Sequence, residues 1–200
     1  MFTGIIETTG KIILIETDGN NKTFKIESPI SDQLKIDQSV SHNGICLTVV
    51  ELGNTWHSVT TIKETLELTS AKNWNEGDVL NIERAALLNS RLDGHLVQGH
   101  VDSIGKIQKI ENENGSWRYT LSFLKSFAPL LISKGSITID GVSLTAISPG
   151  VDRFQVAIIP YTYENTIFHN YKLGDEVNLE FDLIGKYILR SREIESIENN

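Results

Sequence analysis

The segment "SVSHNGICLTVV" (residues 39–50) recurs 97 positions later as "SITIDGVSLTAI" (residues 136–147). The two segments share a serine, a glycine, a leucine and a threonine at matching places, and most other pairs are conservative. The one clear mismatch is His42 against Ile139. The only cysteine of the chain, Cys46, is replaced by Ser143 in the second segment. A long internal match of this kind predicts two copies of one domain.

Two further matches extend the repeat over most of the chain. At the same offset, "GDVLNIER" (77–84) matches "GDEVNLEF" (174–181) with Gly, Asp, Asn and Glu in common. At an offset of 95, "GIIETTGKI" (4–12) matches "GHVDSIGKI" (99–107). We therefore predict an N-terminal domain over residues 1–95 and a C-terminal domain over residues 96–182.

Each copy has the pattern of β structure. Segments such as "TFKIES", "DVLNIE", "RYTLSF" and "RFQVAII" alternate in polarity or are β-branched, and clusters of Gly, Asn and Asp separate them. Closing a small sheet into a barrel removes the exposed edges that favour aggregation. We predict an all-β fold of two tandem six-stranded antiparallel closed barrels.

The C-terminal stretch, residues 183–200, differs from both copies. Leu183, Ile184, Tyr187 and Ile188 recur at helical spacing before charged residues take over. This pattern predicts one C-terminal helix with a charged tail. The narrow apolar stripe must pack on a partner, and the pattern fits two partners equally well: the same helix of other subunits, which would make this an oligomerisation helix, or the chain's own barrel.

Composition narrows the classes of partner. The 200 residues include 18 basic and 26 acidic side chains, for a formal charge of −8 that repels phosphate backbones and anionic lipids. We expect no nucleic-acid partner and no membrane association. One cysteine excludes an internal disulfide and a Cys-only zinc site. No apolar run approaches the roughly 20 residues of a membrane span, and no secretion signal is recognisable, so we predict a cytoplasmic protein, with an organellar one after processing as the alternative.

Cys46 is the first candidate for chemistry. Strand alternation places it opposite Ile45 and Leu47 and on one face with Gly44 and Thr48. If the aliphatic residues fill the barrel, the row of residues formed by Gly44, Cys46 and Thr48 faces outward. A ligand could then approach the backbone closely at the glycine. The alternative is that Cys46 is only a small buried hydrophobic residue. The corresponding row of the second copy is Gly141, Ser143 and Thr145.

His100 is the second candidate, because its counterpart in the first copy is Ile5, so only one copy carries an acid-base group there. His95 lies five positions from His100, a spacing that suits neither one strand face nor one helix face, so we predict no metal site. No phosphate loop or dinucleotide fingerprint is present, which argues against those cofactors. Asp182 ends the last predicted strand and either caps the helix or serves the site.

Five motifs together resemble the riboflavin synthase family of the trimeric, alpha-chain type: "MFTGII", "NGICLTV", "GHLVQGHVD", "KGSITIDGVSLT" and "VNLEFDLIGKY", in that order. The resemblance implies two lumazine-binding barrels and a C-terminal helix that joins three subunits. It also implies a dismutation in which two molecules of 6,7-dimethyl-8-ribityllumazine exchange a four-carbon unit. The products are riboflavin and 5-amino-6-(D-ribitylamino)uracil, and neither a metal nor a redox cofactor takes part.

The resemblance carries a set of pocket residues over to this chain. The first-barrel pocket corresponds to Gly4, Ile5, Ile6, Cys46, Leu47, Thr48, Thr61, Ile62, Lys63, Glu64, Thr65 and Leu66. The second-barrel pocket corresponds to Gly99, His100, Val101, Lys134, Ser143, Leu144, Thr145, Ile158, Ile159, Pro160, Tyr161, Thr162 and Tyr163. We expect His100 and Cys46 to lie nearest the reacting atoms of the substrate. Phe2 is expected to pack on a substrate ring. The residues expected to assist are Ser143, Asp182, Ser39 and Lys134.

The same resemblance implies active sites shared between neighbouring subunits of a homotrimer, with lumazine synthase as a further candidate partner. A reaction between two copies of one substrate needs two related pockets with different roles, which explains a diverged repeat. A non-catalytic lumazine- or flavin-binding antenna protein of the same fold is the main alternative. A flavin-reductase barrel is less consistent, because no nicotinamide-binding domain is present.

Overall fold

The first repeat forms a closed antiparallel barrel in the computed structural model, which describes residues 1–198. Six strands follow one another in the order β1, β2, β5, β4, β3, β6 around the barrel, and β6 pairs with β1. They are β1 (Thr8–Asp18), β2 (Asn21–Glu27), β3 (Ser39–His42), β4 (Ile45–Leu52), β5 (Trp56–Thr61) and β6 (Val79–Arg84). The helix α1 (Lys63–Leu68) and two short 3-10 helices, Ser31–Gln33 and Ser70–Asn73, connect them.

The second repeat forms the same six-stranded antiparallel sheet, in the order β10, β9, β12, β7, β8, β11. Its strands are β7 (Ser103–Asn112), β8 (Trp117–Ser122), β9 (Ser136–Ile139), β10 (Val142–Thr145), β11 (Arg153–Ile158) and β12 (Glu176–Phe181). The helix α2 (Pro160–Asn165) and the 3-10 helices Lys125–Leu130 and Ile167–Asn170 join them.

The predicted closure is wrong in detail for the second barrel. Strands β10 and β11 are joined only by an isolated bridge between Ile147 and Gln155, whereas β4 and β5 share a ladder. Pro149 occupies the repeat position of Leu52, which pairs with His57 in that ladder. The second barrel is therefore nearly closed rather than closed.

Each barrel has its own core, and the two cores differ at one polar cluster. In the first barrel, His42 Nε2 lies 2.8 Å from His57 Nε2, and His57 Nδ1 lies 2.9 Å from Ser31 Oγ. Both histidines are fully buried. The second core has Ile139 and Phe154 at the corresponding positions. The mismatch of His42 with Ile139 in the sequence therefore marks a buried hydrogen-bonded pair.

Two buried asparagines at equivalent positions of the repeats form the same contact between the barrels, so the barrels are related by a local pseudo-twofold axis. The side-chain amide of Asn81 donates to the carbonyl of Asp140 at 2.9 Å, and that of Asn178 donates to the carbonyl of Asn43 at 2.8 Å. Asn81 and Asn178 occupy equivalent positions in the two repeats, as do Asn43 and Asp140. Each barrel therefore donates the same hydrogen bond to the other. They satisfy backbone carbonyls that would otherwise be buried without partners.

The last element is the helix α3 (Leu183–Glu198). Its start is fixed to the second barrel, because Lys186 Nζ lies 2.6 Å from Asp102 Oδ2 and a Cβ on Gly185 would lie 3.5 Å from Leu130. Ile184, Tyr187 and Ile188 remain more than half exposed. The predicted segment 183–200 is thus helical as far as residue 198, and residues 199–200 lie outside the described residues. Over residues 1–198, no helix combines the length and apolarity needed to cross a membrane.

Candidate active site

The Cys46 row faces outward, as alternation predicted. Ile45 and Leu47 are buried in the first core, while Cys46 is half-buried and Thr48 is exposed. In the second barrel Val142 is buried, whereas Ser143 is half-buried and Thr145 is exposed. The thiol row and its hydroxyl equivalent are therefore both accessible from outside their barrels.

The segments that complete these rows come from the opposite repeat. The N–H of Cys46 donates to the carbonyl of Gly99 at 2.8 Å, and the N–H of Ser143 donates to the carbonyl of Gly4 at 2.8 Å. Both glycines have positive φ, +78° and +77°. A Cβ on either would lie 2.6 Å from the Cβ of its partner, so only glycine fits this approach.

Side-chain packing shows the same exchange. Val101 packs against the first core and Ile6 against the second. Phe2 is buried and pairs with Val97, so the two exchanged segments also run beside each other. We call residues 2–6 the N-terminal segment and residues 97–101 the linker segment.

Our assignment of these segments to pockets is therefore wrong. The sequence analysis placed Gly4, Ile5 and Ile6 with Cys46, and Gly99, His100 and Val101 with Ser143. The structure places the linker segment on the first barrel and the N-terminal segment on the second. Each leading segment lies where the two barrels meet, so that its glycine carbonyl bonds to the strand of the other barrel.

The helices α1 and α2 lie at the same ends of the barrels as these rows. Because β4 and β5 are antiparallel with Val49 opposite Val59, the start of β4 and the end of β5 share one end of the first barrel. The exposed or half-buried residues that follow buried Thr61 there are Ile62, Lys63, Glu64, Thr65 and Leu66. The equivalents in the second barrel, after buried Ile158, are Ile159, Pro160, Tyr161, Thr162 and Tyr163.

The second barrel adds an aromatic support that the first lacks. The rings of Trp117 and Tyr163 are stacked, with centroids 3.7 Å apart and planes within 2°. Lys22 and Leu66 hold the corresponding positions in the first barrel. The wall formed by α2 is therefore fixed by ring stacking, whereas Leu66 of α1 packs against the first core without a stacked ring of its own.

His95 contacts the second row directly, although the sequence analysis set it aside. Its Nδ1 lies 2.7 Å from Ser143 Oγ, and its Nε2 lies 3.2 Å from Thr138 Oγ1. Burial lowers the pKa of His95, and the nearby charge of Asp182 opposes this shift. This shift favours a neutral imidazole at neutral pH, and in the tautomer whose proton is on Nε2 the Nδ1 atom accepts the proton of the Ser143 hydroxyl.

The remaining predicted residues are placed as follows. Asp182 accepts a hydrogen bond from the N–H of Ile184 at 2.9 Å and so caps α3, while its charge also acts on His95.

Ser39 lies opposite Thr48 in the β3–β4 ladder, close to the first row. Lys134 is exposed on the turn before β9, where its N–H bonds to Ala146 at 2.9 Å and its φ is +63°. His100 is exposed beside the first row.

Two buried carboxylates, Glu83 and Glu180, were also missed. Each accepts hydrogen bonds from the backbone of one exchanged segment. A signal for them was present, because the glutamates of "NIER" and "NLEF" occupy identical places inside two strands that are otherwise buried. His95 gave no comparable signal, since it has no counterpart in the first repeat.

The cavity between the two barrels does not mark this site. A cavity of about 670 Å³ lies between the barrels and is lined by Asn43, Asp140, Trp74 and Tyr171, among others, with none of the predicted pocket residues. Among residues 1–198, no group of three or more His, Cys, Asp or Glu side chains is arranged to hold a metal ion. The chemistry near Cys46 and Ser143 is that of a thiol, hydroxyls and imidazoles.

Comparisons with known proteins place both repeats in one family. The lumazine binding domain model matches residues 3–85 and again residues 98–182. The riboflavin synthase of Bacillus subtilis is 40% identical over 191 residues, which cover 95% of this chain and 89% of that protein. The Escherichia coli enzyme is 39% identical, covering 91% and 87%, and that of Schizosaccharomyces pombe is 36% identical, covering 94% and 91%.

Solved structures share the fold. LumP complexed with riboflavin superposes with a TM-score of 0.85 at 21% identity, covering 90% of this chain and 99% of that one. LumP complexed with 6,7-dimethyl-8-(1'-D-ribityl) lumazine gives a TM-score of 0.82 at 20% identity over the same shares. With two lumazine binding domains and relatives of this identity along most of its length, the chain belongs to the riboflavin synthase family.

Proposed function

We propose that this protein is a riboflavin synthase that converts two molecules of 6,7-dimethyl-8-ribityllumazine into riboflavin and 5-amino-6-(D-ribitylamino)uracil. The observation that carries the proposal is the pair of exchanged, repeat-related rows. One presents Cys46 beside the segment that bears His100, and the other presents Ser143 beside Ile5 and His95. Two similar rows with different reactive groups suit a reaction between two copies of one substrate.

The proposed chemistry divides the roles between the two bound lumazines. One loses a proton from its C7 methyl group and becomes a carbon nucleophile, while the other is made electrophilic by addition at its C7. His100 is the candidate acid-base group at the first row, and the Cys46 thiol is a candidate for addition. At the second row, neutral His95 accepts the Ser143 proton, so the hydroxyl is a candidate for the same step.

We propose that positioning the two substrate rings lowers the barrier more than the acid-base groups do. Holding two rings face to face converts a bimolecular step into an effectively unimolecular one, which supplies up to about 7–11 kcal/mol of the barrier in favourable cases. The walls from Ile62 to Leu66 and from Ile159 to Tyr163, with the exchanged segments, are the surfaces proposed to hold the rings. The carbon exchange is a dismutation, so it consumes no external oxidant or reductant.

The functional unit that we propose is a cytoplasmic homotrimer with active sites between subunits, and lumazine synthase remains a candidate partner. The exposed apolar residues of α3 support the oligomer, because Ile184, Tyr187 and Ile188 are 63%, 72% and 53% exposed in the single chain. Exposed Lys134 is then proposed to serve a lumazine at a neighbouring subunit.

The decisive experiment is optical. Purified protein is mixed with 6,7-dimethyl-8-ribityllumazine, and riboflavin absorbance is followed beside a protein-free control. We expect sustained turnover that forms one riboflavin for every two lumazines consumed. A stable, fluorescent complex without turnover would instead identify an antenna protein of the same fold, and the proposed activity would be wrong.

A further inference from the structure

We propose that Glu180 and Glu83 are positioning residues for the two rows, and that each serves the barrel to which it does not belong. Glu180, in the second barrel, holds the linker segment against Cys46 of the first. Glu83, in the first barrel, holds the N-terminal segment against Ser143 of the second. The catalytic consequence rests on the proposed function, whereas the positioning itself is tested without it.

Glu180 accepts three backbone hydrogen bonds from consecutive residues. Its Oε1 lies 2.7 Å from the N of Gln98, and its Oε2 lies 2.9 Å from the N of Gly99 and 3.1 Å from the N of His100. Its side chain is buried, with a residue exposure of 3%. The carboxylate therefore fixes the backbone that carries His100, while the carbonyl of Gly99 faces the N–H of Cys46.

Glu83 repeats this arrangement with one difference. Its Oε1 lies 2.7 Å from both the N and the Oγ1 of Thr3, and its Oε2 lies 3.0 Å from the N of Gly4. The N of Ile5 bonds instead to Thr3 Oγ1, at 3.3 Å. Only Glu180 thus binds the residue that carries an imidazole, and the matching residue Ile5 is held indirectly.

Burial of these carboxylates is costly unless the segments are in place. Desolvation raises the pKa of each glutamate, and the hydrogen bonds from the exchanged segments oppose that shift. An ionised carboxylate away from water needs several donors, and backbone N–H groups at these distances are strong ones. A hydrocarbon would fill a buried strand position at lower cost, so the acceptor function explains why both repeats have Glu here.

A glutamine cannot replace this acceptor set. A carboxylate has two acceptor oxygens, whereas the amide of glutamine has one oxygen and a nitrogen that only donates. In Glu180→Gln the nitrogen would face at least one backbone N–H, and the linker segment would lose part of its support. Glu83→Gln is the matched control, because it makes the same change at the repeat-equivalent place.

The single cysteine gives a direct readout of one row. Cys46 is half-buried beneath Gly99, so release of the linker segment exposes the thiol to iodoacetamide. Under native conditions we expect Glu180→Gln to raise the alkylation rate of Cys46 at least about tenfold, measured by intact mass, because the rate follows local opening. Glu83→Gln should leave that rate within about twofold of the unmutated chain.

Moving the single thiol from the first row to the second should exchange the effects of the two glutamine variants on alkylation. In a chain with Cys46→Ser and Ser143→Cys, the thiol lies beneath Gly4 instead of Gly99. There Glu83→Gln should accelerate alkylation by about tenfold and Glu180→Gln should not. Equal acceleration by both glutamine variants, or acceleration by neither, would overturn the assignment. If either variant fails to fold, Glu180→Asp and Glu83→Asp give the same comparison, since the shortened carboxylate reaches fewer donors.

Turnover distinguishes positioning from the proposed function. If the protein converts lumazine, Glu180→Gln should lower kcat/KM by at least about tenfold at a temperature where the fold is intact. A correct alkylation pattern without any lumazine turnover in the unmutated chain would uphold the positioning role and reject the activity. Normal turnover in Glu180→Gln would overturn the catalytic part of the inference.

Discussion

The carbonyl oxygen of Gly99 accepts a 2.8 Å hydrogen bond from the N–H of Cys46, although the two residues belong to different repeats. The same bond recurs between Gly4 and Ser143. Neither repeat therefore completes its own row, and each depends on the leading segment of the other.

The close approach of Gly99 to Cys46 predicts that one added methyl group at Gly99 strongly lowers the free energy of unfolding. Gly99→Ala places a Cβ 2.6 Å from the Cβ of Cys46 at φ +78°, so we expect a loss of about 2–3 kcal/mol in the free energy of unfolding, measured with urea. Gly19→Ala is the control, because φ is +58° but no atom lies within 4 Å. It should cost only about 1 kcal/mol. Equal losses would show that the close contact is not decisive.

The contact of His95 with Ser143 predicts coupled effects on turnover. His95→Ala and Ser143→Ala should each lower kcat/KM, and the double variant should lose less than the sum of the two, with a coupling of about 0.5–3 kcal/mol. The physical reason is that each group acts through the same 2.7 Å hydrogen bond. Steady-state kinetics of the four proteins measures this cycle, and strictly additive losses would contradict a joint role.

The candidate groups of the first row can be separated from each other. His100→Gln removes the acid-base group while keeping a polar side chain, and we expect kcat to fall by about 10²–10⁴-fold. Cys46→Ser keeps a small nucleophile, so a required thiol predicts a large loss, whereas full activity would leave addition to a hydroxyl or to water. Turnover of His100→Gln near that of the unmutated protein would reject the acid-base assignment.

The buried histidine pair predicts acid sensitivity of the first barrel. Burial lowers the pKa of His57 to about 4, from an ordinary value of 6.5, and lowers that of His42 as well. The unfolded chain therefore binds protons that the folded chain does not, and stability is lost as the pH falls from about 6.5 towards 4. The loss is on the order of 3 kcal/mol for His57 alone.

Urea unfolding measured across this pH range tests the pair. The control replaces His42 with Ile and His57 with Phe, the residues found at the matching places of the second core. That double variant should show a flatter dependence of unfolding free energy on pH. An unchanged slope would mean that other groups cause the acid sensitivity.

The exposed face of α3 predicts assembly. Ile188→Lys places a charge at a residue that is 53% exposed in the single chain, and we expect it to shift the sedimenting species from trimer to monomer. Ile36→Lys is the matched control, since Ile36 is 58% exposed in the first barrel, far from α3 in sequence. If neither variant changes the mass found by analytical ultracentrifugation, α3 does not hold the oligomer together.

Local sequence was sufficient for much of the architecture. Internal repetition predicts two equivalent domains, and alternation along "GICLTVV" and "GVSLTAI" places Cys46 and Ser143 on the outer faces of their barrels. These properties depend on the strand period of two and on neighbours within a few residues.

Only the tertiary structure decided which segment completes which row. The resemblance to the family, carried over residue by residue, assigned Gly4 to the pocket of Cys46 and Gly99 to that of Ser143. The barrel–barrel contact exchanges them. The tertiary structure also places His95 on Ser143 and, within the second repeat, the carboxylate of Glu180 on the N–H of His100. Strand faces follow from steric alternation along the backbone, whereas these partners depend on how the finished barrels pack against each other and against the segments that precede them, which involves residues far apart in the chain.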